Sequence, residues 1–446
     1  MATENVGMMS SFSAEDLHLP GPGVGAELRP PPARYREERR WEHLRKSLYS
    51  PWVHVGDEWE ESAYTHLLDE YMWRGDEIMD AVAHLFSRAG NGRAMFEQVL
   101  DGDVRSIPDA PQELVDLAEH LDRVPSWFDR EASERGRRRL CAVSPMAKLA
   151  AFGFSLFAVT MKEDAAESTG ATGQFKQEPL RRAVDTSRYF LEVTHPTALD
   201  RESERFKTII RVRLMHALVR KGLIRRWGPA RVAETGMPLS DASVAGGHAW
   251  FGTMPVVIDQ YLGRPISMSD LDDVAMHWAY IAYLTGASAE ILPKNGLDSI
   301  RLADHIFASA GRPVPRYRVQ MAEALLYPTE ALGGEAAIRD LIGATTAVVG
   351  TRDAQEWLSG TKYESLPLAE LASGFRAVAE QQALVMRHED EDPTTARSQD
   401  AFVDGDPDMT AAYLAMRDFA AERGVHVTEY TEHDGSTSGR SLGPAR

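Results

Sequence analysis

Residues 150–161, AAFGFSLFAVTM, are apolar on almost every side, and their reading decides the fold. A buried strand runs to roughly 4–8 residues and a helix to about 10–12 or more, so the length assigns a central helix. From Trp41 to about Met386 one helical pattern follows another. The breaks are short: RVPSWFD (123–129), THPTALD (194–200), WGPAR (227–231), ILPKNG (291–296) and AGRPVPR (310–316). Alternating strand patterns are scarce. Segment 269–285 opens on Ser269 and Asp272, a variant capping box, and runs through VAMHWAYIAYLTG to a glycine stop. The expectation is an all-α protein with one large helical domain over residues 36–386.

Flanking segments differ in composition. Residues 1–35 include LPGPGVGAELRPPPAR, too rich in Pro and Gly for a packed element, and read as a flexible arm. GPGVG does not complete a dinucleotide-loop spacing, contains Pro and follows no strand. Residues 387–446 read as an acidic linker, a short helix around 408–422 and a Ser/Gly/Arg tail. No internal repeat of fixed period is present.

A formal net charge of −18 argues against nucleic acid as a partner, because phosphate contacts need a basic surface. Cys141 is the only cysteine, so no intramolecular disulfide, four-cysteine zinc site or cysteine-held iron–sulfur cluster can form. That fits a reducing cytoplasm. The first residues lack the pattern of a signal peptide, and no stretch approaches the roughly 18 apolar residues of a membrane span. A cytoplasmic protein is expected.

Within RVRLMHALVRKGL (211–223), a helical period places His216 on a stripe with Ile209, Val212, Arg213, Val219, Arg220 and Leu223. Burial and two neighbouring guanidinium groups both favour a neutral imidazole, the form that ligates a metal. The arginines require anionic partners. Haem, with one iron and two propionates, answers to all three residues. A hydrogen-bonded core histidine with arginines reaching to water answers to the same pattern. A second helix, EPLRRAVDTSRYFLEV (178–193), puts Arg182, Thr186 and Tyr189 on one face. Arg182 and Thr186 there suit donors to a bound oxygen species or substrate carbonyl, or else a surface pair with Asp185 or Glu178 and a hydroxyl bonded back to its own helix.

The landmarks GDEIMDAVAHLF (75–86), PDAPQELVDLAEHLDRVPSWFD (108–129), RRAVDTSRYF (181–190), RVRLMHALVR (211–220), GMPLSDASVAGG (236–247) and MHWAYIAYLTGASAEILP (276–293) resemble, in order and spacing, the oxygenase MpaB and latex-clearing protein family. The resemblance spans roughly residues 36–320. It implies a globin-like helical core around haem b, with His216 as the proximal iron ligand and Arg213 beside it. Arg213 and Arg220 are then candidates for propionate pairing or for support of His216, and Arg182 and Thr186 match the polar residues of the distal helix. O2 or peroxide is the implied co-substrate, with an electron donor as a candidate partner. In rubber-cleaving members a lysine directly precedes the distal threonine; here Asp185 does, and an upstream acid is matched only loosely by Glu163, Asp164 or Glu167. Polyisoprene is therefore disfavoured, and a small intracellular substrate of specialised metabolism is expected. His248, in AGGHAWFG, falls where the family has polar pocket residues, and reads as a second axial ligand, an acid–base group, a substrate contact or an exposed loop residue. His277, Trp278 and Cys141 are expected to be structural.

Other readings stand beside this one. A haem-binding or sensor protein would be six-coordinate through His216 and His248. A di-iron carboxylate enzyme needs two Glu-x-x-His pairs, of which only Glu192 and His195 are at hand. A cofactor-less scaffold is the fourth. Oligomeric state is not legible.

Overall fold

The structure, a computed structural model, describes residues 28–36, 40–55, 62–172, 177–312, 315–391 and 402–425. Among these there is no strand. The helices that frame the site are α1 (Glu77–Arg88), α2 (Arg130–Cys141), α3 (Pro145–Met161), α4 (Pro179–Val193) and α5 (Glu204–Thr235). They continue with α6 (Asp241–Gly247), α7 (Met268–Leu284), α8 (Gly296–Ala308), α9 (Pro315–Val349), α10 (Leu368–Glu391) and α11 (Pro407–Glu422).

The stretch 150–161 lies inside α3. Ser144 starts that helix by accepting from Ala147 N, and Pro145 occupies its first turn. Phe154, Phe157 and Ala158 are fully buried, because α3 is packed against α9 and other helices of the core. No single described helix is long and apolar enough to cross a membrane; α2 and α3 pass that test only as a pair bent by 95°.

The sequence breakers act as expected at helix ends, and WGPAR breaks a helix internally. Gly228 has φ 76° inside α5, ahead of Pro229, which splits the helix beyond the turn that carries His216. One start is misplaced. The capping box of α7 uses Ser267 and Asp270, two residues before the expected Ser269 and Asp272. Two overlapping boxes exist in SMSDLDD, and the second acid is taken elsewhere: Asp272 accepts from Gly296 N at 2.7 Å, tying α7 to the start of α8.

The arm is anchored earlier than residue 36. Arg29 reaches Glu70 at 2.7 Å, the Trp73 indole donates to Pro30 O at 2.8 Å, and Tyr35 is buried. Residues 1–27 and 426–446 lie outside the described residues. At the other end α10 runs on to Glu391, and the helix expected around 408–422 spans Pro407–Glu422. That helix, α11, covers α4: Ala420 packs with Leu180 and Val184, and Tyr413, Met416 and Phe419 close the cluster.

Candidate active site

α3, α4, α5, the turn after α6, α7 and α8 enclose a cavity of about 300 Å³, at the lower end of the range for small-molecule sites. Arg182, Thr186 and Tyr189 line it from α4, and His216 from α5. The helical spacing expected for these residues therefore brings them to one site. The far wall is aromatic. Phe190 and Phe251 have ring centroids 4.5 Å apart, and Phe251 lies 6.0 Å from Trp278. Phe251 and Trp250 come from a π-helical turn, His248–Thr253; such turns are rare and concentrate at functional sites.

His216 is half-buried and lines the cavity. Burial first, then the charges of Arg220 and Arg182, outweigh Asp76 and push its pKa down to about 4. The neutral imidazole expected from the sequence is thus the state at pH 7. Its Nδ1 is sealed, with no hydrogen-bond partner among the described residues. Nε2 of His120 is likewise sealed without a partner among the described residues, whereas the fully buried His277 and His248 are satisfied, His277 by Ser133 Oγ at 3.1 Å and Val193 O at 3.1 Å, and His248 by Ser299 Oγ at 3.2 Å and Ala275 O at 3.0 Å.

That last pair corrects one expectation. His248 is not in an exposed loop but fully buried at the start of the π turn, and although it borders the cavity, both ring nitrogens are engaged. In this arrangement neither ring nitrogen offers a free lone pair to an iron.

Arg213 and Arg220 depart from expectation as well. Arg213 holds Asp76 through two bonds, Nε at 2.5 Å and Nη2 at 2.7 Å, and Arg220 donates to Asp80 at 3.2 Å and to Leu239 O at 3.1 Å. Neither lines the cavity. Burial alone would raise the Asp76 carboxyl, but Arg213, with Arg220 behind it, holds it below the ordinary carboxylate range. Close packing locks the arrangement. A Cβ at Gly286, whose φ is 103°, would collide with Asp76 Oδ2, and one at Gly75 would stand 2.7 Å from Arg220 Nε. In this arrangement the anions that meet Arg213 and Arg220 are carboxylates of or beside α1, Asp76 and Asp80.

On α4 it is Arg181 that takes Glu178, at 3.1 Å, and approaches Asp185, at 4.0 Å. Asp185 is buried and lines the cavity. Glu167 is held by Arg231 at 2.7 Å and does not line it; the side chains of Glu163 and Asp164 lie outside the described residues. Sequence reasoning missed Lys162, which is 4% exposed and lines the cavity from the end of α3. Its signal was a lone cation closing an apolar helix. Glu192 is taken by Arg188 and Arg205, each at 3.4 Å, and among the described residues no group of three or more His, Cys, Asp or Glu is placed to hold a metal. That leaves the di-iron reading without a ligand set. Cys141 is buried away from the cavity, its thiol pushed up to about 12 by burial.

The catalytic-domain family described as ER-bound oxygenase mpaB/B′ and rubber oxygenase matches residues 142–367, just over half of the chain and all of the cavity wall. Among solved structures, latex clearing protein LCP in the closed state aligns with a TM-score of 0.57 at 17% identity, covering 79% of this chain and 91% of that one. At that identity the likeness is one of fold. No curated protein matches the chain.

Proposed function

The chain belongs to the mpaB and rubber oxygenase family and is an oxygenase, and from that premise we propose that it works with haem b held by His216, on a small intracellular substrate. One observation carries the reading: His216 is a half-buried, neutral histidine that borders a cavity and, among the described residues, shows no hydrogen-bond partner. Its Nδ1 is sealed in the protein, which leaves the lone pair of Nε2 to hold an iron, a common use of a neutral imidazole. The rest of the donor set fits: one neutral imidazole, cationic and hydroxyl donors on a neighbouring wall, and aromatic rings for a flat macrocycle to lie against. Bound there, haem supplies the redox chemistry that activates O2 or peroxide, tuned by its axial ligand and surroundings.

The chain's own contributions follow from position. His216 presents a lone pair at neutral pH because Arg220 and burial keep its proton off. With Nδ1 sealed, Nε2 is the nitrogen toward the cavity. The Asp76–Arg213 and Asp80–Arg220 pairs fix α5 against α1, and so fix the height of the imidazole. Arg182 and Thr186 offer N–H and O–H donors where negative charge develops on oxygen. Phe190, Phe251 and Trp278 keep water away and contact an apolar substrate body. Insertion of one oxygen atom from O2 takes two electrons from a donor, whereas peroxide brings them along. The lone buried cysteine suits the reducing cytoplasm, the compartment we propose. A six-coordinate sensor is disfavoured because His248 has no nitrogen to give.

The test is the absorption spectrum of haem-supplied protein, ferric, ferrous and with carbon monoxide, beside His216→Ala. The expected result is a Soret band in the parent that is lost or strongly shifted in the variant. Full haem occupancy in the variant, with an unchanged spectrum, refutes the assignment.

A further inference from the structure

A tyrosine hydroxyl inside a protein usually has a hydrogen-bond partner, because phenylalanine fills nearly the same space without a polar group to satisfy. Tyr49 donates to Met254 Sδ at 2.9 Å, Tyr64 to Ile291 O at 2.8 Å, and Tyr71 to Glu290 at 2.8 Å. Tyr189 differs. It is half-buried on α4 and lines the cavity of His216, and among the described residues its hydroxyl makes no hydrogen bond. Nor is that oxygen sealed in the protein, as the indole nitrogens of Trp250 and Trp278 in the same wall are. Burial alone lifts the phenol well above its ordinary pKa of 10, so the group lies deep and keeps its proton at neutral pH.

Its position gives the hydroxyl a use. Tyr189 stands one turn beyond Thr186, on the face of α4 that borders the cavity. The neighbouring Phe190 ring, with its centroid 5.9 Å away, begins the aromatic row that runs through Phe251 to Trp278. The hydroxyl is thus a polar group beside the apolar wall. A phenol donates one hydrogen bond and accepts others, which suits a neutral oxygen of either kind, carbonyl or hydroxyl. An occupant without such an oxygen leaves the hydroxyl with neither partner nor water, and that is how a polar group in a closed site rejects an analogue.

We infer that Tyr189 is a substrate-binding residue whose hydroxyl bonds a neutral oxygen, that of a ketone, ester or alcohol, carried on an aromatic or otherwise apolar body. The inference rests on the cavity being the substrate site of the oxygenase. A small ligand of the iron is a second source of such an oxygen, and the experiment separates the two.

The haem-supplied full chain is compared with Tyr189→Phe, which removes one oxygen and keeps the ring. The probes are acetophenone and ethylbenzene, which share a carbon skeleton and differ by the carbonyl, each titrated by calorimetry. The carbon monoxide stretching frequency of the ferrous protein reports on the surroundings of the iron's ligand. The expected result is acetophenone weakened by about threefold to tenfold in the variant, the size of one neutral hydrogen bond, with ethylbenzene within about twofold and the stretch unchanged. Equal acetophenone binding by parent and variant, or by neither, overturns the inference. Equal binding with a shifted stretch assigns the hydroxyl to the iron's ligand and overturns it too, as does an equal loss of both probes, which marks altered packing. Circular dichroism checks folding, and Tyr189→Leu is read by the ratio of the two affinities should Tyr189→Phe not fold. A parent without a Soret band refutes the haem reading alone, since calorimetry of the two probes needs no iron.

Discussion

Replacing Asp76 with Asn should destabilise the protein severely, although the new side chain has almost the same shape. Asp76 has two duties. It caps α1 by accepting from Met79 N at 3.2 Å, and it neutralises Arg213 through bonds of 2.5 and 2.7 Å. Asn caps a helix about as well as Asp, so the first duty survives. The second does not. Side-chain exposures of 2% for Arg213 and 6% for Asp76 leave the guanidinium no water to turn to, and breaking such a pair costs about 3–5 kcal/mol. With an unfolding entropy of about 2.1 cal/mol/K per residue over roughly 350 ordered residues, about 4 kcal/mol lowers the melting temperature by roughly 5–6 °C. The exposed pair Arg130–Asp200, closed at 3.0 Å with side chains 63% and 46% exposed, is the control; Asp200→Asn should move the midpoint by less than about 1 °C. The double variant Asp76→Asn with Arg213→Met removes both charges and should recover most of the loss, since a buried pair replaced by apolar groups is often neutral. Calorimetric scans of five proteins suffice: the parent, Asp76→Asn, Arg213→Met, the double variant and Asp200→Asn. A loss in Asp76→Asn no larger than in the control, or a double variant as unstable as the sum of its singles, would refute the claim that an uncompensated charge is the cause.

Two further predictions concern other buried groups. His248→Ala strips partners from Ala275 O and Ser299 Oγ and should cost about 1–3 kcal/mol of stability, while the haem spectrum of the variant stays that of the parent; an altered coordination state would return His248 to the iron. Stability should also depend on pH with two opposed signs. Burial first, against hydrogen bonds from Ser288, lifts Asp241 from 3.8 to about 7, so the folded state holds a proton that the unfolded chain has released and stability falls as pH rises through that window. Burial pushes His216, His248 and His277 each from 6.5 to about 4, so between those values the unfolded chain holds the extra protons and stability rises with pH. The melting-temperature advantage of Asp241→Asn should therefore be small near pH 4, grow up to about pH 7 and then level off. A pH-independent advantage would contradict the shift, and a flat profile for that variant between pH 4 and 6.5 would contradict the histidines.

What was legible in the sequence was local. The length and uniform apolarity of residues 150–161 are enough for a helix, and Pro179 and the spacing 182, 186, 189 are enough to set one face of α4, because both depend on periods of a few residues. The 3.6-residue period also joined Arg213, His216 and Arg220 correctly. Their partners were out of reach, since Asp76 and Asp80 lie 137 and 140 positions away and nothing local to α5 announces them. The exposed-loop alternative for His248 failed for a related reason. Glycines before a histidine suggest a loop, but the chain continues from α6 into a π turn, and the acceptors that hold the ring come from α7 and α8.

The placement of charge around α5 explains why one stripe of a helix can serve two purposes. Burial keeps His216 neutral and the charge of Arg220, one turn away, adds to it, but a buried arginine is tolerated only when an acid meets it. α1 brings those acids on the side away from the cavity. Asp76 and Asp80 thus make Arg213 and Arg220 affordable, and in doing so remove them as receptors for any anion in the cavity.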